Sequence, residues 1–298
     1  MRDFAQTDIH ADFRKSHAMT HRFETVFARL AQKHEGAFVP FVNLCDPDEE
    51  TSLAILETLV ASGADALELG IPFSDPSADG PVVEASADRA LQNGATPARC
   101  LEIVRRFRAA HPETPVSLML YINLVAAPGL SAFMQAAADA GADAVLIPDL
   151  PSSMREAEPE WDEAARAAGL HLIAIVPPNA DDARVRRIAG LTGGYTYLLS
   201  RVGITGTDHA SGTPAARIIR DLADAKAPPA LLGFGISTPE HVRRALEAGA
   251  AGVIVGSALV KIIAEHLHDK SAMLDALGKA AAGFKAATRG YTIQRFLE

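Results

Sequence analysis

Cysteine is scarce in this chain of 298 residues, which contains only Cys45 and Cys100. Two cysteines cannot build the disulfide framework of a small secreted domain, and their separation does not match the spacing of a zinc-binding motif. We therefore expect both side chains to be reduced thiols, which indicates a reducing compartment and a cytoplasmic location.

The chain also has fewer basic residues than acidic ones. Lys and Arg number 28 against 37 Asp and Glu, which gives a formal net charge of -9 and argues against a surface for nucleic acid or anionic membrane. The sequence has no apolar run near the ~18 residues that a membrane span needs. Residues 1–18 mix acidic and basic side chains without the apolar segment of a secretory signal, so we expect a flexible tail there.

No Gly-x-Gly-x-x-Gly motif follows the first predicted strand, so a doubly wound dinucleotide-binding sheet is the less favoured of two α/β folds. An Ala-rich helical pattern instead ends at a glycine and runs into a short apolar segment three times, at 61–70, 140–149 and 248–257. Continuous apolar runs are typical of parallel strands that are covered on both faces. The repeat therefore predicts a series of βα units.

Eight such strands predict a single (β/α)8 TIM barrel over residues 19–290, with 291–298 as a C-terminal tail. The predicted strands are 37–44, 66–72, 116–123, 144–151, 171–178, 194–200, 229–237 and 252–257. The helical patterns between them include 50–62, 131–140, 181–189, 239–248 and 259–267. An extra N-terminal helix at 21–33 and an added C-terminal helix at 271–287 are predicted to cap the two ends.

The predicted strands contain no lysine and only one histidine, His171, which starts its strand at the wrong end for catalysis. A Schiff-base mechanism would need a lysine there, and a zinc or iron site would need convergent ligands. We therefore predict cofactor-free acid–base catalysis by carboxylates, with no metal.

The carboxylates that best fit this chemistry lie in 66–81. Glu68 interrupts an apolar strand, where an unpaired ionised carboxylate is costly, so it is either paired or used in chemistry. Asp75 and Asp79 follow in a loop rich in Gly, Pro and Ser. Barrel enzymes build their active sites at this end of the strands. The apolar neighbours of Glu68 should raise its pKa toward neutrality.

Two glycine-rich turns, 233–237 and 256–258, lie at the C-terminal ends of the last two predicted strands. Backbone N–H groups in such turns, together with the helix N-termini after them, favour a phosphate group. Gly206 could complete this cradle. The loops 73–83 and 201–213 are longer than simple connections, which predicts lids or partner contacts.

Five stretches of the chain closely resemble the α subunit of tryptophan synthase. They are 36–42 (GAFVPFV), 66–81 (ALELGIPFSDP with ADGP), 177–180 (PPNA), 194–201 (GYTYLLSR) and 233–237 (GFGIS). The likeness runs from about Met19 to Arg289. Asn43, Cys45 and Ser77 depart from the threonine, glycine and leucine that we expect at those positions, but none of these changes removes a catalytic group.

The resemblance implies a retro-aldol lyase that cleaves indole-3-glycerol phosphate to indole and glyceraldehyde 3-phosphate. By resemblance, Glu68 transfers the protons, while Asp79 stays ionised, accepts a hydrogen bond from the indole N–H and stabilises positive charge on the ring. Asp75 orders its loop or contacts a partner. Phe41, Tyr121, Tyr197 and Phe234 match pocket-lining positions, Thr205 matches a lid threonine that holds Asp79, and Gly206, Gly235, Gly256 and Ser257 match the phosphate cradle.

The resemblance also implies a partner, a β subunit that carries pyridoxal phosphate and uses the indole for tryptophan biosynthesis within an α2β2 heterotetramer. This chain would itself hold no cofactor. A stand-alone lyase that releases free indole is the alternative. A non-catalytic activator of the β subunit is disfavoured because Glu68 and Asp79 are both present, and a phosphosugar epimerase is disfavoured because the metal ligands it needs are missing from the predicted strands.

Overall fold

Eight parallel strands close into a barrel in the order β1-β2-β3-β4-β5-β6-β7-β8 in the computed structural model, which describes residues 22–199 and 214–291. The strands are β1 (Ala37–Asn43), β2 (Leu67–Gly70), β3 (Val116–Met119), β4 (Ala144–Leu146), β5 (His171–Val176), β6 (Thr196–Leu199), β7 (Ala230–Gly233) and β8 (Gly252–Val255). The predicted TIM barrel is confirmed, and the doubly wound sheet is excluded because β1 pairs with β8.

Thirteen helices lie within the described residues. They are α1 (Arg22–Lys33), α2 (Glu49–Ala61), α3 (Pro81–Gln92), α4 (Pro97–Ala110), α5 (Ile122–Ala126), α6 (Leu130–Ala140), α7 (Ser152–Ala157), α8 (Glu160–Ala167), α9 (Asp182–Ala189), α10 (Pro214–Asp224), α11 (Pro239–Glu247), α12 (Ser257–Glu265) and α13 (Lys270–Ala286). Short polar side chains begin several of them: Asp48, Thr96 and Thr238 each accept a hydrogen bond from a backbone N–H of the first turn.

The strands are shorter than predicted, and two predicted boundaries differ from those in the structure. The third predicted strand reached residue 123, but β3 ends at Met119 and Ile122–Ala126 forms α5. The predicted loop 73–83 ends at Gly80, because Pro81 begins α3. Proline has the φ angle of a helix and lacks an N–H that the first turn could not satisfy, so it is well suited to that position.

The core has two apolar layers, one inside the barrel and one between the strands and the outer helices. Alternate residues of β1 separate the two: Val39 and Phe41 belong to the interior, whereas Phe38 and Val42 belong to the outer layer. At the closure of the barrel β8 approaches β1 so closely that a Cβ on Gly252 would collide with the backbone of Ala37. A glycine is therefore required at that position.

The two added helices occupy different places. α1 closes the N-terminal end of the barrel, where the ring of Phe23 lies 5.4 Å from that of Tyr195 and Arg22 pairs with Asp143 at 2.7 Å. α13 lies in the outer helix layer against α2 and α12, and its Phe284 stacks on Phe38. The prediction that both helices cap an end was therefore right for α1 and wrong for α13.

The two cysteines are free and buried, and their Sγ atoms lie 3.7 Å apart. Within the residues that the structure describes, no helix is both long enough and apolar enough to cross a membrane. The predicted N-terminal tail and nearly all of the predicted C-terminal tail fall outside those residues. Tyr291 is the exception, and its N–H donates to the carbonyl of His34.

A buried ion pair joins α13 to the N-terminal side of the barrel. The Nζ of Lys285 lies 2.9 Å from Asp65 Oδ2 and 2.9 Å from Glu35 Oε2, and the N–H of Phe38 also donates to Asp65. Burial raises the pKa of Asp65, and Lys285 opposes that rise. Lys285 is therefore the main group that keeps the buried carboxylate ionised.

Replacing Lys285 with methionine is expected to lower the free energy of unfolding at pH 7 by about 3 kcal/mol, because Asp65 would remain buried without its main counter-ion. Guanidinium unfolding would measure the loss. Lys279→Met is the control, since Lys279 is an exposed lysine of the same helix. Equal losses for the two variants would contradict the assigned role of Lys285.

Candidate active site

A cavity of about 330 Å³ opens at the C-terminal end of the barrel strands. Its lining combines two carboxylates, a set of apolar and aromatic side chains and two glycine-rich turns. The lining residues are Phe41, Glu68, Asp79, Gly80, Pro81, Val82, Val83, Met119, Tyr197, Phe234, Gly235, Ile236, Ile254, Gly256 and Ser257.

Glu68 lies at the deep end of this cavity with only 1% of its surface exposed. As the second residue of β2 it faces the barrel interior, paired in register with Phe41 of β1 and Ser117 of β3. The hydroxyl of Tyr195 donates to Glu68 Oε1 at 2.7 Å. Because it is part of a strand, the carboxylate is held by the barrel framework itself.

The environment of Glu68 places its pKa at about 7. Burial is the main cause, because an apolar setting disfavours the charged form, and the negative charge of Asp79 raises the pKa further. The hydrogen bond from Tyr195 acts in the opposite direction. A carboxyl group with this pKa can both give and take a proton near neutral pH.

Asp79 lies in the loop after β2, on the side of the cavity next to α3. The hydroxyl of Tyr121 donates to Asp79 Oδ2 at 3.0 Å and accepts from the N–H of Ala78 at 3.0 Å. The ring of Phe73 stacks on Tyr121 at 5.4 Å. Burial raises the pKa of Asp79, and the hydrogen bond from Tyr121 opposes this.

A second polar network fixes α3, which starts two residues after Asp79. Asn43 Nδ2 donates to the carbonyl of Val83 and to Ser86 Oγ, and Ser86 in turn donates to Asp46. Arg89 pairs with both oxygens of the same Asp46, which is 1% exposed. The loop that carries Asp79 is thus anchored by Tyr121 on one side and by a fixed helix on the other.

Two glycine-rich turns of the cavity lining are suited to an anion. Gly256 precedes the first turn of α12, which begins at Ser257, and Gly235 has a φ of 77° in the turn after β7. Both turns line the cavity. Free backbone N–H groups and the positive end of a helix dipole favour a phosphate at such a position.

Aromatic and apolar side chains make up much of the remaining lining of the cavity. Tyr197 meets Phe234 edge to face with ring centroids 6.4 Å apart, and Phe41, Met119 and Ile254 complete the apolar wall. A Cβ at Gly233 would collide with the Tyr197 hydroxyl, so that glycine provides space for the ring. The cavity therefore combines an apolar slot, two acids and two turns whose geometry suits an anion.

Comparison with known families shows which family the chain belongs to. The family model described as Tryptophan synthase alpha chain matches residues 27–289. The chain belongs to this family. Members of this family are lyases of tryptophan biosynthesis that cleave indole-3-glycerol phosphate, and in this family the cleavage needs no cofactor in the subunit.

Individual relatives agree with the family match. The chain is 53% identical over 268 residues to the tryptophan synthase alpha chain of Photobacterium profundum, covering 90% of this chain and 98% of that protein. The crystal structure of the alpha subunit from Legionella pneumophila is 32% identical with a TM-score of 0.80, covering 90% and 98%. The α2β2 complex from Pyrococcus furiosus supplies another similar chain at 36% identity and a TM-score of 0.74, covering 84% and 98%.

The tryptophan synthase alpha chain fold brings most of the predicted site residues together. The cavity is lined by Phe41, Glu68, Asp79, Tyr197, Phe234, Gly235, Gly256 and Ser257. Tyr121 lies beside the cavity and holds Asp79 rather than lining the wall. Thr205 and Gly206 lie outside the described residues. Asp75 is exposed and accepts a hydrogen bond from the hydroxyl of Ser74. Asp149, an acidic residue of the fourth predicted strand, accepts from the N–H of Ile122 at the start of α5.

Sequence reasoning missed Tyr195, the hydrogen-bond partner of Glu68. A signal was present, because residues two apart on a strand face the same side, and Tyr195 precedes Tyr197 by two. It also missed the apolar wall of Met119 and Ile254, which nothing distinguishes from ordinary core. Within the described ranges, no three His, Cys, Asp or Glu side chains are grouped so that they could hold a metal ion.

Proposed function

We propose that Glu68 and Asp79 carry out the cleavage of indole-3-glycerol phosphate in this chain. The observation that carries the proposal is a buried carboxyl group with a pKa of about 7, in one cavity with a second carboxylate and a helix N-terminus. The indole ring occupies the apolar slot between Phe41 and Tyr197. The phosphate binds at the turns of Gly235 and Gly256.

The reaction transfers one proton to the substrate and removes one from it. Glu68 delivers a proton to C3 of the indole ring, and Asp79 accepts the ring N–H in a hydrogen bond that stabilises the positive charge formed there. Glu68 then takes the proton of the hydroxyl on the carbon attached to C3. The bond between that carbon and C3 breaks, its electron pair returns to the ring, and the carbon becomes the aldehyde of glyceraldehyde 3-phosphate.

We further propose that the chain works in an α2β2 heterotetramer with a β subunit that carries pyridoxal phosphate. A similar structure is described as an α2β2 complex from Pyrococcus furiosus, which supports this assembly. The two unbonded thiols support a cytoplasmic location. The alternative, a stand-alone lyase, would release free indole at full rate without a partner.

The proposal is tested by supplying indole-3-glycerol phosphate to the purified chain in the presence of a chelator, with and without the β subunit. We expect indole and glyceraldehyde 3-phosphate in equal amounts, with a higher rate when the β subunit is present. An equal rate with and without the β subunit would support the stand-alone lyase. No indole under either condition, or loss of activity caused by the chelator, would refute the mechanism.

A further inference from the structure

Ser117 lies next to the candidate acid–base residue without lining the cavity. It is the second residue of β3, in register with Glu68, and is fully buried. Its Oγ lies 3.1 Å from the hydroxyl of Tyr195, and that hydroxyl lies 2.7 Å from Glu68 Oε1. Ser117, Tyr195 and Glu68 thus form a continuous chain of polar groups inside the barrel.

The direction of the hydrogen bonds in this chain follows from counting hydrogens. Tyr195 has one hydroxyl hydrogen, and the ionised carboxylate at 2.7 Å can only accept. The hydrogen therefore points to Glu68, and Ser117 must donate to the oxygen of Tyr195. The other acceptor within reach of Ser117, the carbonyl of Leu67, is more distant at 3.4 Å.

We propose that Ser117 is a positioning residue for the cleavage reaction, which acts on Glu68 through Tyr195. A hydroxyl group that accepts a hydrogen bond becomes a better donor, so Ser117 strengthens the bond that Tyr195 gives to the carboxylate. That bond is to a charged acceptor and therefore stabilises the ionised form of Glu68. This proposal rests on the proposed role of Glu68 in proton transfer.

The other influences on the pKa of Glu68 come from groups that also line the cavity or from the strand position itself. Asp79 faces it across the cavity and raises its pKa, Tyr197 shares its electrostatic environment, and burial is inherent in the strand position. Asp79 and Tyr197 both line the cavity, whereas Ser117 does not. Ser117 is therefore a position where the proton affinity of Glu68 can be changed without touching the substrate.

The test compares Ser117→Thr with Ser117→Val, two side chains of the same shape that differ in the hydroxyl group, and adds Ser117→Ala. The rate of indole release is measured from pH 5.5 to 9. In the valine and alanine variants, the limb of the profile that Glu68 controls should move to higher pH by about half a unit. The limb moves to higher pH whether the reaction needs Glu68 protonated or ionised, because in both cases it follows the pKa of Glu68. Ser117→Thr should keep the wild-type profile.

A double variant shows whether the effect passes through Tyr195. Tyr195→Phe alone should shift the profile further than Ser117→Val, and adding Ser117→Val to Tyr195→Phe should cause no additional shift. An equal shift of the profile in both backgrounds would overturn the proposal. A uniform loss of rate at every pH would also overturn it, because it would indicate only a packing defect.

A measurement that does not use catalysis separates this proposal from the proposed function. The carboxyl carbon of Glu68 is followed by NMR titration in the unliganded chain, with the resonance assigned through Glu68→Gln. The same upward shift in Ser117→Val is expected there. If the titration shifts while wild type releases no indole, the proposed function fails, but the effect of Ser117 on the proton affinity of Glu68 is retained. If wild type is active and the titration does not move, only the role of Ser117 fails.

Discussion

Replacing Glu68 with glutamine is expected to lower kcat for indole release by about 10³-fold or more, because the amide can neither give nor take the two protons of the reaction. The fold should persist. Glutamine has the size of glutamate, and its carbonyl oxygen can accept the hydrogen bond that Tyr195 gives to Glu68. The measurement is the rate of indole release at saturating substrate, with circular dichroism to verify folding.

Glu84→Gln is the matched control for this experiment. Glu84 lies in the first turn of α3, close to Asp79, but it is exposed and does not line the cavity. We expect its rate to stay within about threefold of wild type, as for most surface substitutions. A Glu68→Gln variant that retained more than a tenth of wild-type activity would rule out Glu68 as the group that transfers the protons.

Replacing Asp79 with asparagine is expected to lower kcat by about 10²-fold, with a smaller change in KM. The amide oxygen can still accept from Tyr121, so the loop should keep its place. The variant loses the negative charge that opposes the positive charge on the indole ring. Because that charge develops in the transition state, the loss should appear mainly in kcat.

Asp75→Asn provides the control carboxylate in the same loop. Asp75 is exposed and its carboxylate accepts from the neighbouring Ser74, so indole release by the isolated chain should stay close to wild type. The comparison uses the isolated chain because Asp75 is a candidate for partner contact. If Asp75→Asn and Asp79→Asn lost activity equally, the effect would belong to loop order rather than to charge stabilisation.

The strands of the barrel could be predicted because the residues that indicate each strand are adjacent in the sequence. Parallel strands buried on both faces need continuous apolar runs, and a glycine ends the helix before several of them. Glu68 was conspicuous for the same reason, since a carboxylate in such a run needs a partner or a task. The ends of the strands were less predictable, because the start of α5 soon after β3 is held by a contact from the loop after β4, where Asp149 accepts from the N–H of Ile122.

Strand alternation could place Tyr195 on the interior side, but its pairing with Glu68 could not be predicted, because it depends on contacts between distant residues. Tyr195 is 127 residues from Glu68 in the sequence. Ser117 lies beside Glu68 because the register of β2 and β3 pairs the two residues. The link from Asn43 through Ser86 to Asp46 likewise joins β1 to α3. A serine in a strand or an asparagine at its end has many ordinary uses. Only the closed barrel shows which use applies.

The buried position of Glu68 also has a consequence for the stability of the whole barrel. Its pKa rises from an ordinary value of 4.5 in the unfolded chain to about 7 in the folded chain. At a pH between these two values, folding is therefore accompanied by the uptake of a proton. The stability that this proton contributes is complete below pH 4.5 and is lost as the pH rises through about 7. This group alone makes the free energy of unfolding about 3 kcal/mol lower at pH 8 than below pH 4.5.

Glu68→Gln removes this proton linkage. Urea unfolding of the variant and of wild type should therefore diverge between pH 5 and pH 8, with the variant the more stable at the higher pH. Parallel curves over that range would mean that Glu68 titrates alike in the folded and unfolded states. If the curves diverge as expected, the ionised carboxylate lowers the free energy of unfolding at working pH. The barrel is then less stable than its apolar core alone would make it.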